Sequence, residues 1–128
     1  CIIHHCGSGV VPVLAGRSDG QTEAFQEMGV KFGQPGGEDP FKIKSATDYF
    51  RLFYADTALY GDMSGLMCGH DFFGTEHILF GTDFPYDAEG GDKYIRATID
   101  AVHRMNVSDA DKEKIFEGNA KRILRLLG

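Results

Sequence analysis

The stretch Glu76-His77-Ile78-Leu79-Phe80-Gly81-Thr82-Asp83-Phe84-Pro85-Tyr86 predicts a short buried strand that leads to an acidic side chain. The apolar run Ile78–Phe80 forms the strand, and Pro85 cannot continue a hydrogen-bonded ladder. In parallel α/β sheets and barrels, functional groups collect at the carboxyl ends of the strands, because the loops there vary while the strands hold their position. Asp83 is therefore the first candidate for chemistry.

Two further stretches predict strands with polar endings. The apolar run at residues 1–5 ends in His4 and His5, and the strand predicted at residues 53–57 carries Asp56 near its end. Helical segments alternate with these strands, which predicts parallel strands joined by right-handed crossovers. The polar endings would then share one rim, where they could bind a metal ion or perform acid–base chemistry. For His5 and Asp56, a purely structural hydrogen-bonding role is the alternative.

Helix signals in the first half of the chain are weak. One helix is expected to begin near Pro12, where a missing N–H is harmless. The polar, glycine-rich tract at residues 16–37 predicts a surface excursion around one weak helix at residues 22–28. Ser45 resembles the start of a capping box and predicts a short helix over Tyr49, Phe50 and Leu52.

Helix signals in the second half are stronger. Residues 64–73 are expected to form a helix that ends before Gly74. Residues 92–105 give the clearest helix, whose apolar stripe is Tyr94, Ile95, Thr98, Ile99, Val102 and Met105.

Two short helices are expected near the end of the chain. Ser108 should cap the first, which runs to Phe116 and stops at Gly118. Asn119 should then act as the N-cap of a helix over residues 120–127. The side chains expected to pack inward from that helix are Ile123, Leu124 and Leu127.

Composition indicates one domain with a small-molecule substrate. The 128 residues are near the common domain size, and the net charge of −6 argues against nucleic acid or an anionic membrane as partner. Neither a membrane span of about 20 apolar residues nor a signal peptide is visible, so we expect a cytoplasmic location. The chain starts at Cys1 inside a strand-like run, from which we expect an N-terminally incomplete chain.

Other reactive residue types have structural interpretations. The odd count of Cys1, Cys6 and Cys68 predicts reduced thiols. Cys6 is a poor nucleophile candidate, because adjacent residues on a strand point to opposite faces and its neighbour His5 could not pair with it. The remaining histidines, His70, His77 and His103, are expected to be solvated. Arg17 could hold an anionic substrate group or form a surface salt bridge.

Four segments, in order through nearly the whole chain, carry a family resemblance. They are residues 2–7 with Pro12, Gly16 and Arg17, then residues 54–61, 77–86 and 115–124. Together they resemble the amidohydrolase-related family (amidohydrolase 2), which includes aminocarboxymuconate-semialdehyde decarboxylase and resorcylate decarboxylases. The family fold is a (β/α)₈ TIM barrel. The resemblance implies that residues 1–128 are one α/β domain, the C-terminal portion of that barrel with about three strands.

The resemblance also implies roles for rim residues. Asp83 matches the catalytic, metal-binding carboxylate after the last barrel strand, and His5 matches the acid–base histidine of strand six. His4 would point away from the barrel interior. The implied cofactor is a divalent metal, most often zinc, with an incomplete ligand set, because the family's His-x-His pair and a further metal histidine have no counterpart here.

The function expected from these observations is a metal-dependent hydrolase acting on a C–N, C–C or C–O bond of a small organic substrate. A metal-dependent decarboxylase of the same family is the first alternative. A non-catalytic partial barrel, acting as a structural or interaction unit, is the second. The open sheet edges predict a homo-oligomer or completion by N-terminal strands.

Overall fold

A computed structural model describes residues 1–29 and 45–126, which contain a three-stranded parallel sheet. Strand β1 is Ile3–His4, β2 is Tyr54–Asp56 and β3 is Ile78–Leu79, in the spatial order β1-β2-β3. The register pairs His4 with Ala55, and Asp56 with Leu79. The predicted α/β class with parallel strands is therefore confirmed. Residues 30–37 of the predicted surface excursion lie outside the described residues.

Helices connect and follow the strands. The described α-helices are α1 Val11–Glu27, α2 Ala46–Phe50, α3 Met63–Phe73, α4 Asp92–Arg104, α5 Asp109–Glu113 and α6 Asn119–Leu124. Short 3₁₀ turns occupy Cys6–Ser8 and Thr75–His77, and a π-helical turn, Lys114–Gly118, joins α5 to α6. Within the described ranges, none of these helices has the length and apolar character needed to cross a bilayer.

The hydrophobic core lies around the central strand β2. Its buried members are Ala55, Leu66, Phe73, Ile78, Ala101, Val102, Met105 and Ile115. Helix α4 contributes the stripe that the sequence predicts, with Thr98 and Val102 fully buried, whereas Ile99 is exposed. Strand β2 has a neighbour on both sides, whereas β1 and β3 each pair with a single strand among the described residues.

Helix α1 is longer than predicted. The sequence suggests a weak helix at residues 22–28 inside a surface excursion, yet α1 is continuous across Gly16 and Gly20. Each glycine disfavours the helix by about 1 kcal/mol relative to alanine, and tertiary contacts offset that cost. Ala15 is buried, and the Asp19 carboxylate accepts a hydrogen bond from the Thr47 N–H at 3.0 Å, which ties α1 to α2.

The end of the chain also differs from prediction. Gly118 does not stop a helix, and Asn119 is not an N-cap, because both have helical backbone angles within a continuous helical segment. The Asn119 side chain is instead buried against β3, where its amide group donates to the carbonyls of Thr75 and Ile78 at 2.7 and 2.8 Å. Leu124, predicted to pack inward, is exposed, and Leu127 lies outside the described residues.

Loss of the Asn119 side chain is expected to destabilise this sheet edge. Asn119→Ala would leave two carbonyl groups without their donor and open a small cavity. We expect a loss of about 2–4 kcal/mol in the free energy of unfolding. The denaturant midpoint measures the change, and Asn106→Ala, at an exposed asparagine, is the matched control. Equal midpoints for the two variants would contradict this role.

Candidate active site

Three polar side chains meet beyond the carboxyl ends of the strands. His5 follows β1, Asp56 ends β2, and Asp83 lies in the loop after β3. The His5 Nδ1 lies 2.6 Å from Asp56 Oδ2, and its Nε2 lies 3.1 Å from Asp83 Oδ1. The imidazole is therefore placed between two carboxylates at one rim, as the parallel strand order predicts.

Backbone groups fix the Asp56 carboxylate. Its Oδ1 accepts hydrogen bonds from the N–H groups of Ala58 at 3.1 Å and Gly7 at 3.4 Å, while Oδ2 faces His5. Gly81 lies against the other side, where an added Cβ would come within 3.1 Å of the Asp56 Cβ. The Asp56 side chain is 14% exposed, so its position is set by these neighbours.

A buried threonine joins the end of β2, which carries Asp56, to the loop that carries Asp83. The Thr57 hydroxyl donates to the Gly81 carbonyl at 2.9 Å and accepts from the Gly81 N–H at 3.0 Å. Because both hydrogen bonds end on one residue, the chain leaving β3 is held to the end of β2. This link brings the segment from Gly81 to Asp83 toward the rim.

Tyr60 holds the second oxygen of Asp83. Its hydroxyl donates to Asp83 Oδ2 at 2.5 Å, and its ring stacks on Tyr94 of α4 with centroids 3.8 Å apart. The hydrogen bond to Asp83, with burial and the carboxylate charge, raises the pKa of Tyr60 to about 12. The phenol therefore remains a protonated donor at neutral pH.

The backbone around this rim adopts uncommon angles. Four non-glycine residues in the described ranges have positive φ, and three of them are Cys6, Tyr60 and Asp83, at +55°, +54° and +61°. Residues in the left-handed region persist only where their surroundings determine the conformation, and such residues cluster at functional sites. Here they aim the side chains of Tyr60 and Asp83 at each other.

The carboxylates change the acidity of their neighbours. The hydrogen bond from His5 to Asp56 and the Asp56 charge raise the pKa of His5, against an opposing effect of burial and with a smaller contribution from Asp83. Burial raises the pKa of the Cys6 thiol, and the two aspartates add to this effect. A thiol that stays protonated is a poor nucleophile. The sequence argument placed Cys6 on the strand beside His5, whereas Cys6 lies in the 3₁₀ turn Cys6–Ser8, so its lack of a catalytic role stays a prediction.

The described residues do not form a complete metal site. No group of three histidine, cysteine, aspartate or glutamate side chains within residues 1–29 and 45–126 is arranged to hold a metal ion. Asp83 offers a carboxylate that is 20% exposed, and carboxylate oxygens are suitable ligands for divalent ions. One such ligand is insufficient alone, so a metal would need further donors.

The remaining predicted residues lie away from this cluster. His4 is on the other side of β1 and stacks on Phe53, with centroids 5.5 Å apart. Arg17 is exposed on α1. Both of its interpretations remain predictions.

Two of the three histidines predicted to be solvated are not. His70 lies within α3, half-buried, with its Nε2 3.0 Å from the Thr75 hydroxyl. His77 donates from Nδ1 to the Phe53 carbonyl at 2.8 Å and stacks on Tyr54. Both meet partners from the neighbouring chain segments, which local sequence does not reveal. His103 is exposed on α4, as predicted.

Sequence reasoning missed two members of the site. Tyr60 carries no special signal, because its approach to Asp83 depends on a left-handed turn and on a stack with a distant helix. Thr57 reads as an ordinary β-branched strand residue. Its position directly after Asp56 is the only available hint that it would share the rim.

The chain is an α/β protein whose rim places a histidine between two aspartates at the carboxyl ends of parallel strands. The model of the Amidohydrolase family matches residues 1–126. The chain belongs to this family of enzymes, which confirms the family predicted from sequence. No curated protein sequence matches the chain.

Solved structures with the same fold include three decarboxylases. The 2,6-dihydroxybenzoate decarboxylase from Rhizobium is 24% identical to this chain, with a TM-score of 0.69. The match covers 99% of this chain and 35% of the Rhizobium chain. The 5-carboxyvanillate decarboxylase from Sphingomonas paucimobilis is 19% identical to this chain, with a TM-score of 0.75. The match covers 98% of this chain and 34% of the Sphingomonas chain.

The third is a dihydroxybenzoic acid decarboxylase from a Polaromonas species, solved with bound manganese and the inhibitor 2-nitroresorcinol. It is 24% identical to this chain, with a TM-score of 0.67, and the match covers 98% of this chain and 33% of the Polaromonas chain. The chain thus spans about a third of the length of each of these enzymes.

Proposed function

We propose that the chain forms part of a decarboxylase that removes CO₂ from a small aromatic carboxylic acid. The observation that carries the proposal is the His5 imidazole held between Asp56 and Asp83, at the rim where this fold does its chemistry. Three of the solved enzymes that share the fold are decarboxylases of aromatic acids, which supports this alternative over the hydrolase.

His5 is the proton donor in this proposal. When the C–C bond to the carboxylate breaks, CO₂ leaves and the bonding electron pair stays on the ring carbon, which must then receive a proton. Nδ1 is engaged by Asp56, so Nε2 is the nitrogen that transfers the proton. The His5 side chain is 53% exposed, so a substrate can reach it.

Tyr60 and Tyr94 offer a surface for an aromatic substrate. The Tyr60 side chain is exposed beside Asp83, and one face of its ring is covered by Tyr94. A second aromatic ring can stack on such a pair in an offset geometry. This placement would bring the substrate's carboxylate close to His5.

We propose Asp83 as one ligand of a divalent metal whose other ligands lie outside the described residues. Such an ion would supply charge stabilisation to the substrate's oxygens when bound. Manganese in the Polaromonas enzyme supports a divalent ion, while zinc stays a prediction. Tyr60 meanwhile holds the second carboxylate oxygen, which fixes the direction of the first.

Hydrolysis of a small organic substrate is the second candidate. The observation that favours it is the family match itself, because the family is described as Amidohydrolase. In that reaction His5 would move a proton between an attacking water and the leaving group. Both reactions would use the same rim residues, so the substrates that the enzyme turns over distinguish decarboxylation from hydrolysis.

We further propose that residues 1–128 are one partial domain of a (β/α)₈ barrel. Ile2, Ile3, Val13 and Leu14 expose apolar side chains on and near the edge strand β1. Additional strands beside β1 would cover them and remove the open edge. The greater length of the solved enzymes supports this completion.

An assay of CO₂ release tests the function. The whole gene product that contains residues 1–128 would be stripped of metal with a chelator, reloaded with Mn²⁺ or Zn²⁺, and given 2,6-dihydroxybenzoate or 5-carboxyvanillate. We expect metal-dependent CO₂ release that 2-nitroresorcinol inhibits. A parallel panel of amide and lactone substrates tests the second candidate, and turnover of that panel alone would overturn the decarboxylase proposal.

A further inference from the structure

The loop between Asp83 and α4 folds around a single carboxylate, that of Asp87. One oxygen, Oδ1, accepts hydrogen bonds from the N–H groups of Glu89 at 2.6 Å and Gly91 at 3.1 Å. The other oxygen, Oδ2, accepts from the N–H group of Tyr94 at 2.9 Å. Partial burial opposes ionisation of the Asp87 carboxyl, but these three hydrogen bonds together lower its pKa. The group therefore receives the three backbone donors as a carboxylate at neutral pH.

Helix α4 relies on this carboxylate for hydrogen bonds at its N-terminus. The N-cap residue is Gly91, which has no side chain and so supplies no capping oxygen. The N–H group of Tyr94 lies in the first turn, where the N–H groups of an α-helix have no acceptor within the helix. Asp87 supplies the missing acceptor from the preceding loop. The start of α4, and Tyr94 with it, is therefore fixed to the loop that follows β3.

The start of α4 in turn holds the turn at Tyr60 and Gly61. The Tyr94 ring stacks on the Tyr60 ring, with centroids 3.8 Å apart and planes 15° apart. Ala97 packs closely on Gly61, where an added Cβ would lie 3.3 Å from the Ala97 Cβ and from its carbonyl oxygen. Both contacts come from one face of α4, because residues three apart on a helix are neighbours. A shift of the helix start would therefore move the Tyr60 ring.

We propose that Asp87 is a positioning residue for the Tyr60–Tyr94 ring pair, which it places through the start of α4. Its consequence for binding rests on the proposed function, in which this pair is the surface on which an aromatic acid stacks. The alternative is that Asp87 only stabilises the fold, as a helix cap usually does. The two interpretations differ in what the two rings do when the carboxylate is replaced in a folded protein.

Asp87→Asn tests the proposal. The amide has a single oxygen, so its NH₂ group must face either the Tyr94 N–H or the other two N–H groups, donor against donor. We expect the start of α4 to shift and the two rings to lose their fixed stacking. Asp19→Asn is the matched control, because Asp19 on α1 also accepts a backbone N–H, that of Thr47.

Ring spectra of tyrosine report the stacking directly. The whole gene product would be labelled with carbon-13 in the tyrosine rings, and the signals assigned by their disappearance in Tyr60→Phe and Tyr94→Phe. Each stacked ring shields the protons of the other, so the wild type and Asp19→Asn should show signals displaced from those of free tyrosine. In Asp87→Asn we expect a return toward the free position. Displaced signals retained in a folded Asp87→Asn protein would overturn the proposal.

Amide hydrogen exchange in the wild type keeps the test decisive if the variant fails to fold. The Tyr94 N–H should exchange slowly, because the Asp87 carboxylate accepts its hydrogen. Fast exchange of this group, with slow exchange in the remainder of α4, would overturn the proposal without any substitution.

Kinetics test the consequence for binding. At saturating Mn²⁺, we expect Asp87→Asn to raise KM for 2,6-dihydroxybenzoate about 2–10-fold, the contribution of one aromatic contact, with a smaller change in kcat. Released rings with an unchanged KM would overturn this consequence. Released rings in a protein without decarboxylase turnover would support Asp87 as the positioning residue and reject the proposed reaction.

Discussion

His5→Gln is expected to lower decarboxylation turnover by about 10²–10⁴-fold, the usual contribution of a general acid or base. Glutamine is similar in length and can still hydrogen-bond to Asp56, but it has no group that exchanges protons near neutral pH. Metal content should be retained, because the proposed ligand is Asp83. The measurement is kcat for CO₂ release together with metal stoichiometry.

The control for this variant is His103→Gln, because His103 is exposed on α4 and away from the rim. It makes the same chemical change and should keep wild-type turnover. Wild-type turnover in His5→Gln would remove His5 from the mechanism, whatever reaction the enzyme performs. Loss of metal in the same variant would instead indicate that His5 is a ligand.

Much of the rim could be predicted from short-range patterns. Asp83 and His5 each follow an apolar run, and parallel strands bring their carboxyl ends to one edge whatever the details of packing. This general rule needs only the strand order, which the alternation of helices and strands indicates. Asp56 is a weaker candidate on sequence grounds, because a strand-ending aspartate often only caps backbone groups. In the structure it bonds backbone groups and also contacts His5.

The parts that could not be predicted depend on contacts between distant segments. Asn119 follows a glycine and looks like a helix cap, yet the carbonyls it binds belong to Ile78 of β3 and to Thr75 in the turn before it. Likewise, α1 crosses two glycines because Asp19 and Ala15 have tertiary partners that offset weak local propensity. Local sequence patterns reflect conformational preferences of a few tenths of a kcal/mol to about 1 kcal/mol per residue, and buried tertiary contacts can reverse preferences of this size.

The Tyr60 contact shows the same limit within the site. A tyrosine with positive φ is unfavourable on local grounds, and the stack of Tyr60 on Tyr94 and its hydrogen bond to Asp83 offset that cost. Sequence reasoning could place Asp83 at the rim but not identify which groups hold its two oxygens. Those partners decide in which direction the carboxylate can bind anything further.

Asp83→Asn is expected to reduce both metal retention and turnover, each by more than about 10²-fold. The amide is neutral, so it binds a divalent ion far more weakly than a carboxylate does. Its NH₂ group must also face either the Tyr60 hydroxyl or His5 Nε2, which disturbs the hydrogen bonds that now fix the side chain. Metal content after gel filtration and kcat at saturating Mn²⁺ measure the two losses.

Asp109→Asn is the matched control, because Asp109 is fully exposed in the first turn of α5 and distant from the rim. It should retain metal and turnover. If Asp83→Asn kept its metal but lost turnover, Asp83 would act on the His5 ring and not as a metal ligand. Among the described residues, the polar partner of Asp83 Oδ1 is His5 Nε2. Restoration of kcat by excess Mn²⁺ would instead place the defect in metal affinity, so the metal titration separates the two roles that this one carboxylate could have.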